Sequence, residues 1–145
     1  MQIEVVTKAD EKLREAFQRL VPQLTDKNPP PSLDLLTALV KSDSSTLMVA
    51  RDARGRIIGA LTLAVYRVPT GIRSIIEDVI VDKSARGQGI GEALTRRALE
   101  IAKEAGAAHV TLTSNPRREA ANRLYQRMGF VKRETNAYIY KIKKD

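Results

Sequence analysis

The chain has 145 residues, a formal net charge of +8 and a sequence pI of about 10.0, with no cysteine and a single histidine, His109. The length fits one domain with its own core. The lack of thiols excludes disulfides, cysteine-ligated zinc and a cysteine nucleophile, and a lone histidine leaves no multi-histidine metal site.

Ile3 to Val6 reads as a short strand. Thr7-x-x-Asp10 has the form of a capping box, and Leu13, Phe17, Leu20, Val21 and Leu24 then recur at helical spacing. Pro29-Pro30-Pro31 stops that helix. Ser32 caps the next, whose apolar stripe is Leu35, Leu36, Leu39 and Val40. Thr46 to Ala50 and Ile57 to Tyr66 flank a polar turn containing Gly55, the pattern of an antiparallel hairpin. After the turn Pro69-Thr70-Gly71, residues Ile72 to Val81 form a nearly continuous β-branched run, as in a strand covered on both faces.

Ile90, Leu94, Ala98, Ile101 and Ala105 then line one face of a helix, with Gly106 placed to end it. His109 to Thr113 reads as a strand. Asn115-Pro116 suits the cap and first turn of a last helix, with Ala121, Leu124, Tyr125 and Met128 as its stripe and Gly129 as its end. Phe130 to Arg133 and Ala137 to Ile142 read as two closing strands. Without a repeat, linker or low-complexity tract, residues 1–145 are expected to form a single domain. No signal-peptide core or membrane-spanning run is present, so a soluble cytoplasmic protein with no membrane partner is expected.

The stretch between Val81 and Ile90 carries the chemistry. Gly87, Gly89 and Gly91 alternate at the junction of a strand and a helix. Glycines there strip side chains from the turn, so bare N–H groups and the helix dipole can face an anion. A P-loop is excluded, because Gly91 is followed by Glu92 rather than lysine. A dinucleotide fingerprint is excluded as well, because the spacing is G-x-G-x-G. What remains is [QR]-x-x-G-x-[GA], filled by Arg86, Gly89 and Gly91.

That pattern resembles the acetyl-CoA pyrophosphate loop of the GNAT N-acetyltransferases. The segment Ala120 to Phe130, A-A-N-R-L-Y-Q-R-M-G-F, is similar to the family's second conserved segment, A-x-x-x-Y-x-x-x-G-F. The order of elements agrees over essentially the whole chain. The resemblance implies an α/β (α+β) fold: a central, mixed, mostly antiparallel sheet flanked by helices, its fourth and fifth strands splayed apart. It implies direct acetyl transfer from acetyl-CoA, as co-substrate and without a metal, to a primary amine of a small molecule or peptide. A CoA-binding regulatory domain without catalysis is the alternative.

The resemblance also distributes roles. Arg86, Gly87, Gln88, Gly89, Ile90 and Gly91 would hold the pyrophosphate, and Val79, Ile80 and Val81 would offer a strand edge to the pantetheine arm. Tyr125 would contact the cofactor and protonate the departing thiolate. Arg118 and Asn122 would reach the cofactor from the last helix, although Arg118 stands where the family often has asparagine. Glu77, a charge interrupting an apolar strand, is the candidate base. Asp78, on the opposite face by strand alternation, is its rival.

The acceptor pocket would draw on Lys27 to Ser32, Tyr66 to Gly71 and Glu134 to Ala137. Those segments hold no dense acidic wall, which disfavours polycationic acceptors. The net charge would suit nucleic acid, but no RNP aromatic pair, zinc spacing or helix-turn-helix pattern accompanies it, so no nucleic-acid partner is expected. A homodimer is left open.

Overall fold

The computed structural model describes residues 1–143. These fall into two compact units, Met1–Thr113 and the residues from Ser114 on. The first unit runs β1 (Gln2–Val5), α1 (Glu11–Leu24), α2 (Leu33–Lys41), β2 (Ser45–Arg51), β3 (Ile57–Val68), β4 (Gly71–Val81), a single 3-10 turn (Lys83–Ala85), α3 (Ile90–Glu104) and β5 (Val110–Thr111). The second contains α4 (Glu119–Arg127). The strands lie in sequence order in one sheet, antiparallel except for the parallel β4–β5 pair. This is the expected mixed, mostly antiparallel sheet flanked by helices. No helix of the described residues is long and apolar enough to cross a membrane.

Cross-strand register assigns the two faces. Leu47 pairs with Thr62 and Thr62 with Glu77, while Val49 pairs with Ala60 and Ala60 with Ile80. Directly opposed residues share a face. Leu47, Val49, Ala60 and Ile80 pack with Leu13, Phe17, Leu20 and Leu36 of α1 and α2 in one buried cluster. Glu77 therefore lies on the face that α1 and α2 cover.

Glu77 and Ile80 are three residues apart, which in a regular strand would put them on opposite faces. They share a face because β4 carries one extra residue between the pairs Thr62↔Glu77 and Ala60↔Ile80. This is a β-bulge, and Asp78 within it has φ +51°. The alternation that would send Glu77 and Asp78 to opposite faces breaks at this point.

The opposite face receives α3. Gly59 is what lets the helix approach there. A Cβ on Gly59 would come within 3.0 Å of the Ile90 side chain, 3.1 Å of the Ile80 carbonyl and 3.2 Å of the Leu94 side chain. The start of α3 is thereby held close against the sheet.

Several local expectations change. Helix α1 is capped by Asp10, whose carboxylate accepts from the Leu13 N–H at 2.9 Å, so the helix starts after Asp10 and not after Thr7. Both residues are suitable caps, and the one that places Leu13, Phe17 and Leu20 against the sheet prevails. In α2, Ser32 does cap, but Leu35 is 56% exposed and only Leu36 is fully covered. Helix α4 begins at Glu119, not at Asn115. The Asn115 side chain accepts instead from the Arg117 N–H in a local turn, a competing bond that asparagine makes readily.

The two closing strands, Phe130–Arg133 and Ala137–Ile142, do not form. Val131, Tyr138, Ile139, Tyr140 and Ile142 are each more than 80% exposed. Their residue types favour strands, but a strand exists only through a neighbour's hydrogen bonds, and the sheet of the described residues ends at β5.

Gly59→Ala should lower the unfolding free energy by about 1–3 kcal/mol, as overpacking does in a filled core. Urea denaturation followed by circular dichroism measures it; an unchanged midpoint would mean that the α3–sheet contact yields without strain.

Candidate active site

The β4–β5 ladder consists of Ser74↔Val110 and Ile75↔Thr111 and then stops. Past that point β4 keeps β3 on one side, with Val81 opposite Gly59 and Ile80 opposite Ala60. On its other side, Glu77 to Val81 have no ladder partner among the described residues. The expected splay of the fourth and fifth strands is present. It leaves the backbone of Val79 and Val81, both half-buried, able to pair with an extended ligand. The Ile80 side chain serves the core.

The chain leaves this edge through Asp82 and the 3-10 turn, then enters α3. Gly87 and Gly89 both have φ +79°, a left-handed conformation open to glycine at no steric cost. Gly89 caps α3 with no side-chain hydrogen bond, so the first N–H groups of the helix lack an intrahelical partner. No described residue accepts from the N–H groups of Gly87, Gln88 or Gly89. A Cβ on Gly87 or Gly89 would meet nothing within 4 Å, so the loop borders open space. Arg86 is exposed and its Nε donates to the Val81 carbonyl at 3.3 Å. Ile90 is buried and Gly91 half-buried, so both offer backbone only. Unclaimed N–H groups at the start of a helix are donors of the kind that suit an anion.

Glu77 is exposed on the α1–α2 face of β4. Partial burial, and then the charge of adjacent Asp78, push its carboxyl above the ordinary glutamate range. Its proton affinity thus moves toward that of a neutral-pH base.

In the second unit, Tyr125 is 6% exposed, and its ring meets Phe130 edge-on with centroids 5.7 Å apart. Burial raises the phenol's pKa, with the Arg118 charge opposing, so the hydroxyl keeps its proton through neutral pH. Arg118 is exposed at the N-cap position of α4. Asn122 donates from Nδ2 to the Asn115 carbonyl at 3.0 Å, tying α4 to the loop before it. The sequence candidates thus form two groups: Glu77, Val79 to Val81 and Arg86 to Gly91 on one unit, and Arg118, Asn122 and Tyr125 on the other.

Sequence reading missed what surrounds the loop. Asp82 is 5% exposed and accepts from the Ser84 N–H and Oγ, from Arg19 Nη1, and lies 3.8 Å from Arg56 Nη2. Arg19 and Asp82 lie 63 positions apart, and no local pattern couples them. Ser114 Oγ is shielded from solvent and has no hydrogen-bond partner among the described residues, also without a sequence signal.

Comparison with known proteins agrees with this geometry. Residues 10–130 match the model of the acetyltransferase (GNAT) family. The chain is 31% identical to glucosamine 6-phosphate N-acetyltransferase 1 of Oryza sativa subsp. japonica over 106 residues, 71% of this chain and 62% of the relative. It is 45% identical to the rice protein described as probable glucosamine 6-phosphate N-acetyltransferase 2 over 65 residues, 45% of this chain and 37% of that one. The chain thus spans less than two thirds of the length of either relative. Among solved structures, an acetyltransferase of Trypanosoma brucei superposes with a TM-score of 0.78 at 26% identity, covering 97% of this chain and 99% of that one. The chain belongs to the GNAT acetyltransferase family.

The Asp82 cluster makes a pH prediction. Burial alone would raise this carboxyl, but the hydrogen bonds from Ser84, the Arg19 charge and Gln23 outweigh it and hold the pKa below the ordinary aspartate value. A depressed native pKa contributes stability that is complete above the unfolded-state pKa and is lost as pH falls through the native one. Wild type should therefore be more stable than Asp82→Asn at pH 6–7, and the difference should shrink steadily as the solution is acidified toward about pH 2. Thermal unfolding across pH checks it; a constant difference would show that charge is not the stabilising feature.

Proposed function

We propose that the protein is an acetyl-CoA-dependent N-acetyltransferase that transfers the acetyl group directly to a primary amine. The observation that carries the reading is the glycine loop at the start of α3, with left-handed Gly87 and Gly89 and unclaimed N–H groups beside open space. Arg86 to Gly91 bind the pyrophosphate through backbone donors, and the free edge at Val79 to Val81 pairs with the pantetheine arm. Acetyl-CoA supplies a thioester, whose carbonyl carbon is open to attack by a neutral amine.

The chain's own groups move the protons. Glu77, raised in pKa and on the strand that carries the free edge, accepts the proton the amine must lose, directly or through water. Tyr125, kept protonated by burial, returns a proton to the departing sulfur. The amide forms as the carbon–sulfur bond breaks, and no covalent enzyme intermediate is needed. By resemblance to the family, Arg118 and Asn122 are also assigned to the cofactor.

For the acceptor, the net charge of +8 and the rice relatives favour an amine that also carries an anionic group, as a hexosamine phosphate does. A panel of glucosamine 6-phosphate, glucosamine, an amino acid, a short peptide and a polyamine, read by release of free CoA, ranks the candidates. Polyamine turnover above the rest would overturn the charge argument. The protein is expected to work in the cytoplasm.

Gly89→Val should abolish the thermal stabilisation that acetyl-CoA confers while the ligand-free protein stays folded, because a branched side chain would occupy the space beside the loop. Binding equal to wild type would remove the loop from the site. Glu77→Gln should shift the acidic limb of kcat/KM upward to the amine's own pKa. Tyr125→Phe should lower kcat by roughly 10- to 100-fold with little change in acetyl-CoA affinity. Wild-type pH–rate profiles in both variants would leave positioning alone to carry the reaction.

A further inference from the structure

The glycine loop is held from a helix distant in sequence. Gln23 on α1 accepts from the Lys83 N–H through Oε1 at 2.9 Å, and its Nε2 donates to the Arg19 carbonyl at 3.2 Å. Arg19, one turn earlier, donates from Nη1 to Asp82 Oδ2 and from Nη2 to the Ile57 carbonyl at 2.7 Å. Asp82 in turn holds the Ser84 N–H and hydroxyl on Oδ1, each at 3.1 Å, and its carbonyl accepts from the Ala85 N–H at 2.9 Å. Its own N–H continues the sheet, donating to the Ile58 carbonyl at 2.8 Å.

Together these bonds sort the loop's donors. The N–H groups of Lys83, Ser84 and Ala85 are each claimed inside the protein. Those of Gly87, Gln88 and Gly89 are not. The start of the 3-10 turn is thus held twice, at the sheet through Asp82 and at α1 through Gln23 on Lys83, and the Ala85 N–H closes the turn on the Asp82 carbonyl, so the free donors follow directly on a held turn. Glycines alone would permit that arrangement but not select it, because each samples positive and negative φ about equally. We infer that Arg19 and Gln23, the first acting through Asp82, are positioning residues that preorganise the glycine loop for coenzyme A. The inference rests on the proposed role of that loop.

A buried aspartate paired with arginine could instead serve only to staple the fold, so the test must read ligand affinity on folded protein. Calorimetric titration with coenzyme A compares wild type, Arg19→Lys, Gln23→Met, Gly89→Val and Arg51→Gln. Lysine keeps the charge but cannot reach Asp82 and the Ile57 carbonyl together. Methionine keeps the size of Gln23 without its acceptor, at a half-buried position where unfolding is not expected. Arg51→Gln removes the Arg51–Glu4 ion pair of the same unit as a control.

Arg19→Lys and Gln23→Met should each weaken coenzyme A binding by roughly 3- to 10-fold, the factor one lost hydrogen bond carries. Arg51→Gln should bind as wild type does. If Gly89→Val fails to bind while Arg19→Lys and Gln23→Met bind normally, the inference is wrong and the loop's role stands. If Arg51→Gln weakens binding as much as the other two, general destabilisation explains the effect and the inference is again wrong. If wild type fails to bind, or Gly89→Val binds like wild type, the loop's role falls and takes the inference with it.

Discussion

Backbone amides in a folded protein must find partners, and the candidate site is where some of them are left without one. Strand β4 is laddered along β3 and then loses its other neighbour after Ile75. The turn that follows spends its first N–H groups internally and leaves later ones bare. Everything else answers to this. Gly59 lets the start of α3 lie close against the sheet, and α1 covers the opposite face while reaching Asp82. The candidate surface is chiefly main chain, so the apolar side chains of Val79 and Val81 are compatible with it.

The bulge at Asp78 matters for the same reason. An added residue shifts the phase of all that follows. Without it, Glu77 and Ile80 could not share a face, and either the carboxylate would leave the α1–α2 side or Ile80 would leave the core. The left-handed φ of Asp78 is the local conformational cost of keeping both.

Local patterns in the sequence revealed most of the first unit. The hairpin around Gly55, the β-branched run, the Ser32 cap, the start of α3 at Ile90 and the stop at Gly106 all depend on neighbours a few positions away. Three kinds of feature were hidden. The bulge depends on the register of a partner strand, which the run Ile72 to Val81 does not encode by itself. The Arg19–Asp82 pair depends on chain folding over a long separation. The start of α1 at Asp10 depends on which of two good caps packing favours, and the late start of α4 on the local turn that Asn115 closes instead of capping. Of the candidate site, the glycine loop and Glu77 stood out because their residue types conflict with their surroundings. Gln23 and Ser114 look like any polar residue until their partners, or the lack of one, are seen.

The C-terminal segment has a consequence for how the protein behaves at high concentration. Tyr138-Ile139-Tyr140-Lys141-Ile142 combines strong β-propensity with exposed apolar surface, the composition from which intermolecular sheets grow. Lys132 and Arg133 precede it, Lys141 interrupts it and Lys143 follows it. Cations in and around such a run act as gatekeepers, since bringing two copies into register stacks like charges. That protection is electrostatic and reaches only about 8 Å at physiological ionic strength. Self-association through this run is therefore expected to depend on salt, with the basic residues opposing it.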